Sequence, residues 1–222
     1  MSYEAQVGPI PAWVDALEAP GYVNPRRLVR SERLHPTEAH MGDYGGRLLI
    51  VLQDFAPAAR VRDALARGFG ERAWRHGDGD ARYGRAGPAT NRALAAALLG
   101  DPAAMDGRFA QACGIVCANA CWLLKGGDSM SGALVGFRPG RPAFEAGAAV
   151  LRLTVAAMRD LAAVALCSRP AWAMEGVVAE TAPDVEVLRL WHPNAQGQRE
   201  KKAATAAALR ATARRLGVGR AP

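Results

Sequence analysis

Four short apolar runs, each ending abruptly in a polar residue, set the pattern of this chain. Leu48-Leu49-Ile50-Val51-Leu52 leads into Gln53-Asp54, and Ile115-Val116-Cys117-Ala118 leads into Asn119. Ala162 to Leu166 runs on to Ser168, and Val185-Glu186-Val187-Leu188-Arg189-Leu190-Trp191 ends in His192-Pro193. Their length and branched apolar content predict buried strands of a parallel sheet, at 47–53, 114–119, 162–166 and 185–191.

Helical periodicity fills the gaps between them. Pro57 suits the first turn of a helix reaching Gly68, with Val61, Ala64 and Leu65 on one face. Pro88 or Thr90 opens a helix through Leu99, and Asp101-Pro102 starts a short one. Further helices are expected from Pro142 to Asp160, over 170–178, and from Arg199 to Arg215. The stretches 75–87 and 126–140, rich in Gly and polar residues, read as loops. Residues 1–45, with scattered prolines, read as an N-terminal arm carrying one short helix at 11–19. Alternating strand and helix predict an α/β fold of one domain, 1–222: three layers, α/β/α, around a four-stranded, mainly parallel sheet.

Half of the 222 residues are hydrophobic and 22% are charged, which disfavours both a disordered chain and a membrane protein. No apolar stretch is long enough for a bilayer crossing and no signal-peptide pattern opens the chain, so a cytoplasmic protein is expected. The net charge of +7 comes from arginine, for the lysines are Lys125, Lys201 and Lys202 alone. Such a surplus suits a polyanion such as DNA, although a high-GC genome produces the same bias. Cys113, Cys117, Cys121 and Cys167 contain no Cys-x-x-Cys pair and read as buried reduced thiols rather than metal ligands. His35, His40 and His76 show no metal-ligand spacing, Ser129, Ser131 and Ser168 lack a nucleophile-elbow context, and no P-loop or dinucleotide fingerprint is present.

Ligands of open parallel sheets sit beyond the carboxyl ends of the strands. Asp54, Asn119, Ser168 and His192 are therefore the candidates for one crevice. A carboxylate and an imidazole so placed suit acid/base or electrostatic catalysis. Each position also has a purely structural reading: a helix-capping Asp54, a turn Asn119, and a His192 that merely precedes a proline turn.

These segments resemble the uracil-DNA glycosylase superfamily. Gln53-Asp54-Phe55-Ala56-Pro57 is similar to its first motif, Gly-Gln-Asp-Pro-Tyr or Gly-Glu-Ala-Pro-Gly. Val116-Cys117-Ala118-Asn119 is similar to its strand ending in asparagine, and His192-Pro193-Asn194 to its His-Pro-Ser motif. Tyr83-Gly84-Arg85-Ala86-Gly87 resembles a stretch of the iron-sulfur branch. The resemblance covers about residues 47–202, with the motifs in the family's order.

It implies a DNA repair enzyme that hydrolyses the N-glycosidic bond of uracil on a nucleotide flipped out of the duplex. Asp54 would stabilise the oxocarbenium-like state and orient water, while His192 donates a hydrogen bond to O2 of the departing base. Asn119 would read uracil N3–H and O4 and reject cytosine. Gln53, Phe55 and Tyr83 would line the base pocket, and Asn194, Arg199, Lys201 and Lys202 would contact DNA. No metal or diffusible cofactor is implied, and the four cluster cysteines of the iron-sulfur branch are missing. Ala56 replaces the tyrosine that blocks the thymine methyl, and no leucine wedge follows His192. A glycosylase for hypoxanthine or xanthine, and a non-catalytic nucleic-acid binding protein, are the alternative readings.

Overall fold

The structure, a computed structural model, describes residues 6–9, 11–28, 41–54, 57–59, 89–100, 114–126, 134, 136–195 and 198–219. All four anticipated strands are present: β3 (Leu48–Leu52), β4 (Ile115–Asn119), β6 (Ala163–Cys167) and β7 (Glu186–Leu190). They are parallel, in the order β4-β3-β6-β7. A fifth strand, β2 (Met41–Gly42), extends the sheet antiparallel to β4 and was not anticipated. The arm thus supplies an edge of the sheet. A separate ribbon pairs β1 (Tyr22–Val23), which runs on to the short helix α1 (Pro25–Leu28), with β5 (Leu124–Lys125), antiparallel.

Side chains alternate between the two faces of a strand, so the apolar runs of β3, β4 and β6 each feed two cores. Leu49, Val51, Val116, Ala118, Val164 and Leu166 pack with residues of helices α3 (Pro142–Ala157) and α5 (Glu175–Thr181). Leu48, Ile50, Ile115, Ala163 and Ala165 pack with α2 (Ala89–Leu98) and α6 (Arg199–Leu216) on the other face. Helices therefore cover both faces of the parallel sheet. None among the described residues is long and apolar enough to cross a membrane.

The helices depart from expectation at their ends. The 11–19 segment is a 3-10 helix over Ala12–Ala16 only, closed by an extended Leu17. The single helix anticipated over 170–178 is two, α4 (Arg169–Trp172) and α5, separated by Ala173 and Met174. Of the helix anticipated from Pro57, the described part is its start, at Ala58 and Ala59; the short helix after Asp101 lies outside the described residues. Cys117, Cys121 and Cys167 are buried and in no disulfide, whereas Cys113 lies outside the described residues. Burial pushes the Cys167 thiol up to about 12, far from a reactive thiolate.

Helix α3 approaches the sheet closely through Gly147. A Cβ there would stand 2.0 Å from the Ala120 carbonyl oxygen, just past Asn119. On an exposed helix Gly→Ala gains about 1 kcal/mol, but here the clash dominates, since overpacking costs roughly 1–3 kcal/mol. Gly147→Ala is expected to lower the urea midpoint of unfolding. A raised midpoint would show that α3 has room to spare.

Candidate active site

The sheet order determines where a ligand can lie. From β3 the chain crosses to β4 on one side, then returns to β6 and β7 on the other. At such a reversal the connections leave in opposite directions and open a crevice beyond the carboxyl ends of the strands. Asn119 ends β4, Asp54 stands two residues beyond β3, Ser168 one beyond β6 and His192 two beyond β7. The four candidates thus share the carboxyl edge of the sheet. Two further bonds continue the β3–β4 ladder past its end: Ala120 N–H donates to Leu52 O (2.8 Å) and Cys121 N–H to Gln53 O (3.0 Å).

Asp54 is mostly buried, with 17% of its side chain exposed. Its Oδ2 lies 2.8 Å from Lys125 Nζ, and Gln53 Nε2 donates to Oδ1 at 3.4 Å. Oδ2 is shielded from solvent and accepts no well-formed hydrogen bond among the described residues, so the Lys125 contact is one of charge. The carboxylate's field reaches three neighbours. It helps raise Tyr22, after burial and Cys121, and helps raise Cys121, which burial foremost pushes up to about 12. It also acts on His192 across the site.

His192 is held in one tautomer. Asn194 N–H donates to its Nδ1 at 3.1 Å, so in the neutral ring the proton belongs on Nε2. Burial lowers the His192 pKa, Asp54 opposes that shift and Lys202 adds to it. Near neutral pH the ring is an uncharged Nε2–H donor. The strand end before it is clamped. Trp191 N–H donates to Thr205 Oγ1 and the Thr205 hydroxyl donates to Trp191 O, both at 3.1 Å. Trp172 Nε1 donates to Leu166 O (2.9 Å) and Leu190 O (2.8 Å), tying the ends of β6 and β7 together, and its ring meets Trp191 edge-on at 4.9 Å.

Because the folded-state pKa is depressed, the unfolded chain protonates first on acidification. The stability that His192 contributes is therefore complete above the ordinary value of 6.5 and is lost as pH falls below it. Nitrogen-15 NMR is expected to show an Nε2–H tautomer titrating below 6.5. Asp54→Asn should lower that midpoint further, and Lys202→Ala should raise it. An Nδ1–H tautomer, or a midpoint above the ordinary value, would contradict this reading of the site.

Ser168 sits at the same edge but not as a nucleophile. It is buried and strained, with φ 149°, and its Oγ accepts from Ala171 N–H at 3.4 Å. His192 Nδ1 takes a backbone N–H rather than a carboxylate, so no Ser-His-Asp relay forms.

Of the residues anticipated for the base pocket, Gln53 and Asn119 lie half-buried at the carboxyl edge, while Phe55 and Tyr83 lie outside the described residues. Of those anticipated to contact DNA, Arg199 is exposed at the start of α6. The other three make contacts within the protein: Lys201 Nζ lies 3.8 Å from the Trp191 ring centroid, and Lys202 Nζ donates to Asn194 Oδ1 at 3.4 Å. Lys202 thereby steadies the residue that orients His192. Sequence reasoning missed Tyr22, Lys125, Trp172 and Thr205. One signal was available for Lys125: all three lysines of this arginine-rich chain belong to this site or its supports.

No protein-family profile matches the chain, and no curated protein matches it in sequence.

Proposed function

We propose that the protein is a DNA glycosylase that hydrolyses the bond between deoxyribose and uracil on an extruded nucleotide. The observation that carries the reading is the pairing of a buried carboxylate, Asp54, with a neutral His192 whose Nδ1 is already occupied. Cleavage of the bond leaves positive charge on the sugar and negative charge on the base. The carboxylate opposes the first, and Nε2–H of His192 donates to O2 of the departing base. A water held by the Asp54 carboxylate attacks the anomeric carbon, and its proton passes to the carboxylate. Asn119, at the end of β4, offers an amide oxygen to N3–H and an amide nitrogen to O4. The resemblance to the uracil-DNA glycosylase superfamily supports the same assignment, as does the basic surplus of the chain.

The experiment is incubation with oligonucleotides carrying one uracil, thymine, hypoxanthine or xanthine, followed by alkaline cleavage of abasic sites. Uracil strands are expected to break. Cleavage confined to hypoxanthine or xanthine would move the substrate to another deaminated base, and cleavage of none would refute a glycosylase.

A further inference from the structure

We propose that Lys125, presented by the β1–β5 ribbon, is the positioning residue that fixes the Asp54 carboxylate in the site. The chain leaves β4 at Asn119, follows the end of β3 through the Ala120 and Cys121 bonds, and reaches β5 five residues later, at Leu124. There Tyr22 pairs with Lys125 and Val23 with Leu124, and Gly126 N–H donates to Gly21 O at 2.8 Å. The ribbon rests on a core of its own, where Tyr22 packs against the cluster of Trp122, Leu123, Ala146 and Val150. The backbone of Lys125 is thereby fixed by the N-terminal arm, and its side chain, 20% exposed, ends at Asp54 Oδ2. Asp54 stands just past the last ladder bond at this edge, Cys121 N–H to Gln53 O, so an anchor on its side chain adds a constraint that the ladder does not supply. An ion pair with little solvent access restricts the carboxylate more than an exposed pair would, because water screens it less.

Lysine suits this role because its compact charge meets one carboxylate oxygen and leaves the rest of the group uncovered, whereas a guanidinium fork would engage both. In a chain with 28 basic residues, arginine is otherwise the rule. Gly126 shows how closely the arm is seated: a Cβ there would stand 2.9 Å from Gly21 O. Gly126→Ala is therefore a way to displace β1 without touching a charged group.

The role rests on the glycosylase reading for its rate readout but not for its geometry, so two measurements are made on the full chain. The first is single-turnover uracil release by Lys125→Met, Lys125→Arg, Asp54→Asn and the Lys125→Met/Asp54→Asn double variant. Lys125→Met is expected to lose at least 10-fold in rate with unchanged DNA affinity, Lys125→Arg to recover part of it, and the double variant to be no slower than Asp54→Asn alone. Gly126→Ala should show a smaller loss of the same kind. The second is the same double-mutant cycle read by urea unfolding, in which the pair should be coupled rather than additive. Full activity in Lys125→Met, or rate losses that multiply, would overturn the proposal. So would a salt dependence of DNA binding weakened by about one unit in Lys125→Met, which would make Lys125 a phosphate contact. If the wild type releases no base while unfolding still shows the coupling, the glycosylase reading fails and Lys125 stands as the brace of Asp54.

Discussion

Asp54→Asn and His192→Ala are each expected to slow uracil release by at least roughly 100-fold, the loss typical of removing one such group from a preorganised site. The two losses arise differently. Asn at position 54 keeps the shape and a hydrogen-bonding oxygen but removes the charge that opposes the sugar cation, and it cannot take a proton from water. Ala at position 192 removes the Nε2–H donor that Asn194 N–H defines by occupying Nδ1. Uracil-DNA affinity should change little, because neither residue supplies most of the contacts to phosphates. Asp54→Asn also removes one charge of a mostly buried ion pair with Lys125, which costs folding stability. Its thermal stability must be measured beside its rate. Near-normal single-turnover rates in both variants would remove these residues from the chemistry.

Asn119→Asp is expected to weaken selection of uracil over cytosine. An ionised carboxylate presents acceptors only, so it repels uracil O4 where the amide nitrogen would donate. Once protonated, its hydroxyl can donate to cytosine N3 while the other oxygen accepts from N4–H2. The discrimination at stake is large, because a site built to hydrogen-bond one pattern leaves buried groups unpaired with the other. Release of radiolabelled uracil and cytosine by the variant checks this. Unchanged uracil release would mean that Asn119, although at the sheet edge, does not read the base.

Strands β3, β4 and β6 were legible because each is an apolar run buried on both faces, whereas β7, with Glu186 and Arg189 exposed, was legible from the branched residues between its charges. Helix α6 was equally clear, from Arg199 to its glycine stop at Gly217. The strands that escaped notice are two residues long. Met41–Gly42, Tyr22–Val23 and Leu124–Lys125 have no room for a period, and only pairing with distant segments makes them strands. The split between α4 and α5 is similar: Ala173 and Met174 are good helix formers, yet Met174 ends in the core, fully buried.

The placement of Asp54, Asn119 and His192 at one edge of the sheet was legible because the carboxyl end of a parallel strand is a place defined by the sequence itself. Lys125 and Tyr22 were not, since their place depends on an arm more than ninety residues from Leu124 and Lys125 in the chain folding back upon them. The support beneath His192 was hidden for the same reason. Nothing in the local sequence tells that Trp172 bridges two strand ends or that Thr205 on α6 holds Trp191. Lys201 and Lys202 show the converse. Their position after His192 suggested DNA contacts, while in the folded chain they meet Trp191 and Asn194.

The central claim is that this crevice releases uracil from DNA by means of Asp54 and His192. Mass spectrometry of the small molecules set free from a single-uracil oligonucleotide tests it most directly, with wild type and the Asp54→Asn/His192→Ala double variant side by side. The wild type is expected to yield one equivalent of free uracil and an intact strand with an abasic site, and the double variant neither. No free uracil from the wild type, or equal release by the double variant, would contradict it.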